Sequence, residues 1–174
     1  MASHVVVLSD THIRRGGLHP ARGAARALGR LPDAAYAHLD RADVILHAGD
    51  VVVGEVLDEL RGFAPVHAVL GNNDHELFGV LPETEVIELD GARIAMIHDS
   101  GPSTGRAGRM RRRFPDADVV VFGHSHIPWD DDGVDGQRLF NPGSPTERRS
   151  QPHHTLGTLD IDGGRVVTRI HVLG

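Results

Sequence analysis

The chain has 174 residues, with 18 basic and 24 acidic side chains and a formal net charge of −6. All the basic residues are arginine and no cysteine occurs, which excludes Schiff-base lysines, a phosphate-loop lysine, thiol nucleophiles, disulfides and thiolate metal sites. The acidic balance argues against a surface that binds polyanions. Thirteen histidines beside the acidic residues instead favour metal binding through imidazole and oxygen ligands.

The length of the chain predicts a single domain over residues 1–174. No apolar run approaches the about 18 residues that a transmembrane helix needs, so no membrane segment is expected. The opening residues, MASHVVVLSDTH, lack the basic and apolar regions of a secretory signal. A cytoplasmic location is therefore expected.

Five short apolar runs follow one another along the first two thirds of the chain, and each ends in a polar cluster. Runs of this length, rich in β-branched residues and bounded by Gly or Asp, predict buried strands rather than helices. The runs are Val5–Leu8, Val44–Leu46, Val66–Leu70, Ile94–Ile97 and Val119–Phe122.

The segments between these runs have helical composition. Helices are predicted over Ala21–Gly29, Asp33–Asp40, Glu55–Arg61 and Thr104–Arg113, the last closed by Pro115. After Pro128 the pattern changes to a turn-rich stretch, Asp130–Gly136, and then to strands over Gln137–Phe140, His154–Ile161 and Arg165–Leu173, with a hairpin at Asp162-Gly163-Gly164. This order predicts an α/β fold of two packed sheets with helices outside.

Side chains that can bind metal follow each of the five predicted strands. They are Asp10 and His12, then Asp50, then Asn72 and Asp74, then His98, and then His124 and His126. Functional groups of open α/β sheets gather beyond the carboxyl ends of the strands, so these side chains are predicted to share one edge. Residues i and i+2 of extended backbone point the same way, so Asp10 with His12, and His124 with His126, are each expected to offer two ligands to one place.

This ordered series resembles the calcineurin-like metallophosphoesterases, and most of all their small single-domain bacterial and archaeal phosphodiesterases, the YfcE-like branch. The matching motifs are Asp10-x-His12, Gly49-Asp50, Gly71-Asn72-x-Asp74, His98 and Gly123-His124-x-His126, with Asn141-Pro142-Gly143-Ser144 as a further family element. The resemblance implies an α-β-β-α sandwich of two mixed sheets, with a two-metal centre at one edge.

Carried over by position, the resemblance implies two metal sites that share Asp50. One is formed by Asp10, His12, Asp50 and His126, and the other by Asp50, Asn72, His98 and His124. It also implies that Asp50, Asn72 and Asp74 serve catalysis, with Asp74 orienting its neighbours rather than binding metal. Mixed nitrogen and oxygen ligands suit two divalent ions of Mn, Fe, Co, Ni or Zn, and manganese is the expected one.

The implied reaction is hydrolysis of a phosphate diester by a hydroxide that bridges two metals roughly 3.5–4 Å apart. Many superfamily members have histidine between the Asn and Asp of the third motif, where it protonates the leaving oxygen, but this chain has Asn73. An amide is no general acid, and general acid catalysis is worth about 10²–10⁴-fold. Activated aryl diesters such as bis-p-nitrophenyl phosphate are therefore the expected substrates, with feeble activity on alkyl monoesters. His75 is a weaker candidate for the missing acid.

Several other residues allow two interpretations. His47 is expected to pack or to support a ligand, and Asp99 either contacts substrate or caps its loop. The arginine-rich stretch Arg109–Arg113 is expected to be a solvated helix face rather than a nucleic-acid site, whereas Arg148 and Arg149 could meet a phosphate. The expected partner is thus a small phosphoester, with no membrane and no nucleic acid. Assembly into a homo-oligomer is left open.

Two alternative functions remain. A phosphomonoesterase or nucleotide pyrophosphatase would use the same site and metals. A protein-binding scaffold is also known on this fold, in a eukaryotic trafficking subunit that resembles the family but has lost key ligands. Because the ligand set of this chain is complete, an enzyme is favoured over a protein-binding scaffold.

Overall fold

The computed structural model describes residues 2–14 and 31–174 and contains ten named strands and three α-helices within those ranges. The strands are β1 (Ser3–Leu8), β2 (Val44–His47), β3 (Val66–Ala68), β4 (Thr84–Leu89), β5 (Ala92–Ile97), β6 (Val119–Val121), β7 (Trp129–Asp132), β8 (Arg138–Asn141), β9 (Thr155–Asp162) and β10 (Arg165–Val172). The helices are α1 (Asp33–Leu39), α2 (Gly54–Arg61) and α3 (Arg106–Arg113), with a 3₁₀ turn at His75–Leu77.

The strands form two mixed sheets of five. The first has the order β10-β9-β1-β2-β3, in which β1, β2 and β3 run parallel and β9 runs antiparallel to both of its neighbours. The second has the order β4-β5-β6-β8-β7, in which β5, β6 and β8 run parallel between two antiparallel edge strands. The predicted α/β architecture of two packed mixed sheets flanked by helices is confirmed.

Apolar side chains fill both faces of the central strands. The faces that the sheets turn toward each other bury Val5, Val7, Leu46, Ile94, Met96, Val121 and Phe140. Alternate residues of a strand point to opposite faces, so the outer faces pack against the helices, with Val6 and Leu8 against Leu39 and Leu60 on one side and Val120 and Phe122 against Met110 on the other. Burial on both faces explains why these strands are continuous apolar runs.

Two edge strands were not predicted. Thr84–Leu89 alternates in exposure and pairs along its whole length with Ala92–Ile97. Trp129–Asp132 lies in the stretch predicted to be turn-rich, because three consecutive aspartates disfavour a strand. Arg138 on the neighbouring strand compensates, donating from Nε to Asp130 Oδ1 at 2.7 Å and from Nη1 to Asp132 Oδ1 at 2.8 Å.

The other predicted elements are found with small differences at their ends. The strand predicted over Val66–Leu70 ends at Ala68. The helix predicted from Thr104 begins at Arg106, since Gly105 adopts a left-handed conformation with φ 72°. The Gly163-Gly164 hairpin joins the last two strands as predicted. The helix predicted over Ala21–Gly29 lies outside the described residues.

This topology brings five loops to one end of the sandwich. Strands β1, β2 and β3 are parallel in one sheet, and β5 and β6 are parallel in the other. The loops that follow these strands carry the candidate metal ligands. Across residues 2–14 and 31–174, none of the helices has the length and apolarity that crossing a membrane requires.

Candidate metal centre

The loops after the parallel strands bring acidic and imidazole side chains within coordinating distance of one another. Two clusters offer ligand atoms that all lie within 4.8 Å of one another, Asp10 with His12 and His126, and Asp10 with Asp50 and His98. The shortest approaches are His12 Nε2 to Asp50 Oδ2 at 3.3 Å, His126 Nε2 to Asp10 Oδ1 at 3.4 Å and His98 Nε2 to Asp50 Oδ2 at 3.4 Å. Five of the seven predicted ligands thus meet.

The i, i+2 pairs Asp10/His12 and His124/His126 do not have the predicted extended backbone, and only the first pair meets in one cluster. None of these side chains extends from β backbone, because φ is positive at 55° for Asp10, 46° for His12, 69° for His124 and 60° for His126. Asp50, at φ 58°, shares this left-handed conformation, which is uncommon for residues other than glycine. Such strain persists only where surrounding structure imposes it, and it clusters at functional sites. The expectation of extended pairs was wrong.

Three ligand atoms of the first cluster have no hydrogen-bond partner although they are buried. They are Asp10 Oδ1, His12 Nε2 and His126 Nε2. Buried polar atoms are nearly always satisfied, and an unsatisfied one requires an explanation. The three atoms face one another, so a single cation between them would satisfy all three. The residues present therefore fit a divalent metal ion.

Hydrogen bonds to backbone carbonyls orient two of the imidazoles. His98 Nδ1 faces the carbonyl oxygen of Ala48 at 2.7 Å, and His126 Nδ1 lies within hydrogen-bond distance of the Glu147 carbonyl. A carbonyl oxygen only accepts, so Nδ1 carries a proton in both rings, and Nε2 is the nitrogen turned toward the centre. Metal-binding histidines are typically held in this way.

The two carboxylate oxygens of Asp10 have different surroundings. Its Oδ2 accepts from Ser9 Oγ at 2.7 Å and from the His124 backbone N–H at 3.0 Å, whereas Oδ1 is the unpartnered atom. Burial opposes ionisation, but electrostatic attraction from the neighbouring His12 and His98 rings outweighs it and lowers the pKa of Asp10. The oxygen that faces the centre therefore belongs to an anion.

Asp50 belongs to the second cluster and also approaches His12 of the first. Its Oδ2 is approached by His12 and His98, and it also accepts a hydrogen bond from Asn73 Nδ2 at 2.8 Å. Burial raises its pKa, but attraction from the adjacent His98 ring and hydrogen bonds from Asn73 outweigh burial and hold the pKa well below its usual value. For His12 and His98, burial by itself would lower the pKa. The nearby carboxylates of Asp10 and Asp50 together have the larger, opposite effect, so the pKa of both histidines is raised. Negative potential thus dominates the centre.

Asn72 and His124 complete the predicted ligand set on the solvent side. Both residues are exposed, and Asn72 Oδ1 lies 3.1 Å from His98 Nε2 and 3.2 Å from His124 Nδ1. A cavity of about 310 Å³ adjoins this side and is lined by Asn72, His98 and His124 together with Leu70, Phe78, Ile97, Asp99 and Arg113. The centre is therefore open to ligands from this direction.

Asp74 is kept away from the centre by its own hydrogen bonds. Its buried carboxylate accepts from the backbone N–H groups of Val52 at 2.6 Å, Gly71 at 2.7 Å and Asp50 at 3.0 Å. These bonds join the loop after β2 to the loop after β3. The structure thus gives Asp74 a positioning role and no place among the ligand atoms.

His47 contacts two of the loops that carry candidate metal ligands. The residue is fully buried, its Nδ1 accepts from the Gly49 N–H at 3.2 Å and its Nε2 lies 3.0 Å from Thr11 Oγ1. Burial lowers the pKa of His47 to about 4. It is therefore a neutral ring with a structural role, one of the two roles expected from the sequence.

The Asn141-Pro142-Gly143-Ser144 loop supports the first ligand loop from the other sheet. Ser144 Oγ donates to the Asp10 carbonyl at 2.8 Å, and Thr146 Oγ1 donates to the Thr11 carbonyl at 2.7 Å. Sequence reasoning missed Ser9, Asn73, Thr146 and Glu147 as supporting residues. The only available signal was their proximity in sequence to the motifs.

Two glycines are required because backbones approach closely. A Cβ on Gly71 would lie 2.2 Å from the Asp50 backbone nitrogen, and one on Gly123 would lie 1.9 Å from Ser9 Oγ. Both glycines precede candidate ligands in their motifs. They allow the loops of different strands to pack against the carboxylates.

The remaining candidates are not among the clustered ligand atoms. Arg109 is not simply solvated, because its Nε donates to the Ser100 carbonyl at 2.9 Å and so secures the loop after His98. Arg148 donates to the Gln151 carbonyl at 2.6 Å. His75 has its ring 6.0 Å from the ring of Phe78. Asp99 accepts from the Gly101 N–H at 2.8 Å, as expected of a residue that caps its loop.

A two-sheet sandwich with Asp, His and Asn side chains at the carboxyl ends of its parallel strands is the architecture of a metallophosphoesterase. The family model for the calcineurin-like phosphoesterase superfamily domain matches residues 4–164, and the chain belongs to this family. It is a family of metal-dependent hydrolases.

Relatives and solved structures agree with this assignment. A probable metallophosphoesterase from Methanothermobacter thermautotrophicus is 32% identical over 166 residues, covering 94% of this chain and 89% of the relative. Vps29 from Entamoeba histolytica, solved in complex with Zn²⁺, is 26% identical with a TM-score of 0.71 and 98% and 99% coverage of the two chains. Vacuolar Protein Sorting 29 from Cryptosporidium parvum, 20% identical with a TM-score of 0.75 and 98% and 97% coverage, shares the fold.

Proposed function

We propose that the protein is a metal-dependent phosphodiesterase that uses two divalent transition-metal ions, with manganese as the preferred metal. One observation carries the proposal, the three buried atoms without partners on Asp10, His12 and His126. The second cluster, which shares Asp10 and adds Asp50 and His98, supports a second ion. The second cluster has two carboxylates and one imidazole, so a cation there would offset an excess of negative charge.

The proposed ligands of one ion are Asp10, His12, Asp50 and His126, and those of the other are Asp50, Asn72, His98 and His124. Two divalent ions would supply positive charge to the phosphate oxygens and lower the pKa of water. Four positive charges against the two carboxylates of Asp10 and Asp50 leave a local excess that attracts an anionic ester, although the chain as a whole has a net charge of −6. The proposed partner is therefore a small phosphoester.

The residues of the chain orient the centre rather than donate protons to the leaving group. Asn73 holds Asp50, Asp74 holds the Asp50 loop, and the carbonyl of Ala48 orients His98. The net reaction adds water across one P–O ester bond and gives a monoester and an alcohol. Since the amide of Asn73 supplies no acid, the alcohol must leave as a stable anion. This favours aryl diesters over alkyl esters.

The proposal is tested by metal analysis followed by assays. The purified protein is treated with chelator, loaded with manganese and analysed for bound metal. Its turnover is then measured on bis-p-nitrophenyl phosphate, p-nitrophenyl phosphate and alkyl monoesters. We expect two metal ions per chain and the highest kcat/KM on the diester. Faster hydrolysis of the monoester would favour the phosphomonoesterase alternative.

A second candidate, a protein-binding scaffold, is suggested by the similarity to Vps29 structures. Measurement of turnover distinguishes the scaffold from the phosphodiesterase. A protein that binds metal but hydrolyses none of these esters would support the scaffold and reject the phosphodiesterase.

A further inference from the structure

The cavity beside Asn72, His98 and His124 has a second wall that no metal ligand occupies. Leu70, Phe78 and Ile97 provide apolar surface there, and Arg113 adds a guanidinium group. Polar groups of Glu83, Thr84 and Asp99 complete the lining. We call this wall and the space before it the ring pocket. The whole cavity has a volume of about 310 Å³, and small-molecule sites have volumes of about 300–1,000 Å³.

We propose that the ring pocket binds a planar ring carried by the phosphoester, with Phe78 and Arg113 as the residues that select it. The inference rests on the proposed function, because it takes the phosphate to lie at the metal centre. It deepens that function by naming the substrate class, phosphoesters with an aromatic or heteroaromatic substituent.

The position of the pocket determines which part of the substrate reaches it. His98 and His124 belong both to the proposed metal centre and to the lining of the cavity. A phosphate held at the centre therefore has one ester substituent directed into the same cavity. Leu70 and Ile97 offer this substituent an apolar surface, and burial of apolar area is favourable at about 25 cal/mol per Å².

The chemistry of Phe78 and Arg113 favours a planar ring over an alkyl group of equal size. Aromatic side chains pack against rings in offset or edge-to-face contacts worth about 0.5–1.5 kcal/mol beyond area burial. A guanidinium group adds cation–π attraction to a ring face. Saturated rings of the same size gain neither.

Neighbouring rings restrain both residues. The ring of His75 lies 6.0 Å from that of Phe78, at an angle of 54°. The guanidinium carbon of Arg113, at the end of α3, lies 5.9 Å from the centre of the Phe114 ring. Phe78 is 59% exposed, so its ring is available to a ligand and its replacement leaves the core intact.

The test uses three phosphonates that cannot be hydrolysed, each with one substituent. Phenylphosphonate, cyclohexylphosphonate and methylphosphonate are titrated by calorimetry into the manganese-loaded protein. We expect phenylphosphonate to bind about 3- to 10-fold more tightly than cyclohexylphosphonate. This preference should be lost in Phe78→Leu and kept in Phe78→Tyr, which retains a ring.

Arg113 has a matched control on the same helix. Arg113→Gln should weaken phenylphosphonate about 2- to 5-fold, whereas Arg112→Gln, one residue away and outside the cavity lining, should not change it. Circular dichroism checks that each variant is folded.

The outcomes separate the two proposals. Equal binding of phenyl- and cyclohexylphosphonate overturns the ring pocket alone. No binding of any phosphonate, methylphosphonate included, overturns the placement of phosphate at the metal centre and the ring pocket with it. A phenyl preference that survives Phe78→Leu and Arg113→Gln also overturns it. If the phenyl preference depends on these residues but no diester is hydrolysed, the ring pocket stands and the phosphodiesterase is rejected.

Discussion

Asn73 holds the carboxylate of Asp50 by two hydrogen bonds, from its backbone N–H to Oδ1 at 2.9 Å and from its side-chain amide to Oδ2 at 2.8 Å. The same position carries a histidine general acid in many members of the superfamily. In this chain the position therefore holds a group that orients the central carboxylate and cannot act as a general acid.

Asn73→His should restore an acid near the leaving oxygen. We expect kcat/KM for diesters of phenol to rise about tenfold or more relative to diesters of p-nitrophenol, because general acid catalysis matters most for poor leaving groups. The measurement is the slope of log kcat/KM against the pKa of the leaving group. Asn73→Ala, which loses the hydrogen bond without adding an acid, should keep the original slope. An unchanged slope in both variants would contradict the prediction.

Asp50→Asn should lose metal and activity together. The substitution removes one of the two carboxylates of the proposed centre, and we expect at least about 100-fold weaker metal binding with turnover near background. Bound metal is measured by elemental analysis after dialysis against a fixed manganese concentration. Asp58→Asn is the control, since Asp58 lies on the surface of α2 in an exposed pair with Arg61. Full turnover of Asp50→Asn with bound metal would reject the proposed centre.

Asp74→Ala should lower both stability and metal affinity. It leaves the backbone N–H groups of Asp50, Val52 and Gly71 without their acceptor, and each unsatisfied buried group costs about 1–3 kcal/mol. We expect the free energy of unfolding to fall by about 3 kcal/mol and metal affinity to fall about 10–100-fold. Urea denaturation and metal titration measure the two effects. Loss of turnover with stability and metal binding unchanged would show that Asp74 acts directly in the reaction.

Because His47 is buried as a neutral ring, the free energy of unfolding of the metal-free protein should decrease as the pH falls from about 6.5 to about 4. In this range the unfolded chain binds a proton at His47 that the folded chain does not, so the free energy of unfolding rises with pH. The contribution reaches about 3 kcal/mol across the window. Urea denaturation in chelator at a series of pH values measures it. His47→Gln should flatten this part of the profile, and an identical profile would contradict the assignment.

Removal of metal should destabilise the fold. A ligand that binds only the folded state adds about 2.7 kcal/mol at a concentration 100 times its Kd. Addition of manganese to the chelator-treated protein should therefore raise Tm, and the rise should increase with manganese concentration. Asp10→Asn should reduce the rise because it changes the carboxylate whose Oδ1 lies unpartnered in the first cluster. Equal shifts in both proteins would argue that manganese binds elsewhere.

Much of the fold could be predicted because its signal is local. The central strands are buried on both faces, so each is a continuous apolar run, and Val5–Leu8 and Val119–Val121 are recognisable without any partner. The strand at Trp129–Asp132 has no such signal. Its aspartates are accommodated only because Arg138 lies on the adjacent strand, and that pairing is not visible in the sequence.

The sequence by itself determined the ligand types, their order along the chain and the family, since each motif is a few residues long and follows a recognisable strand. Only the tertiary structure decided how those ligands meet. The left-handed conformations of Asp10 and His126, the support of the Asp10 loop by Ser144, and the hold of Asn73 on Asp50 all depend on contacts between distant segments. Local propensity carries no information about them, because the energy that stabilises a strained loop comes from residues far away in the chain.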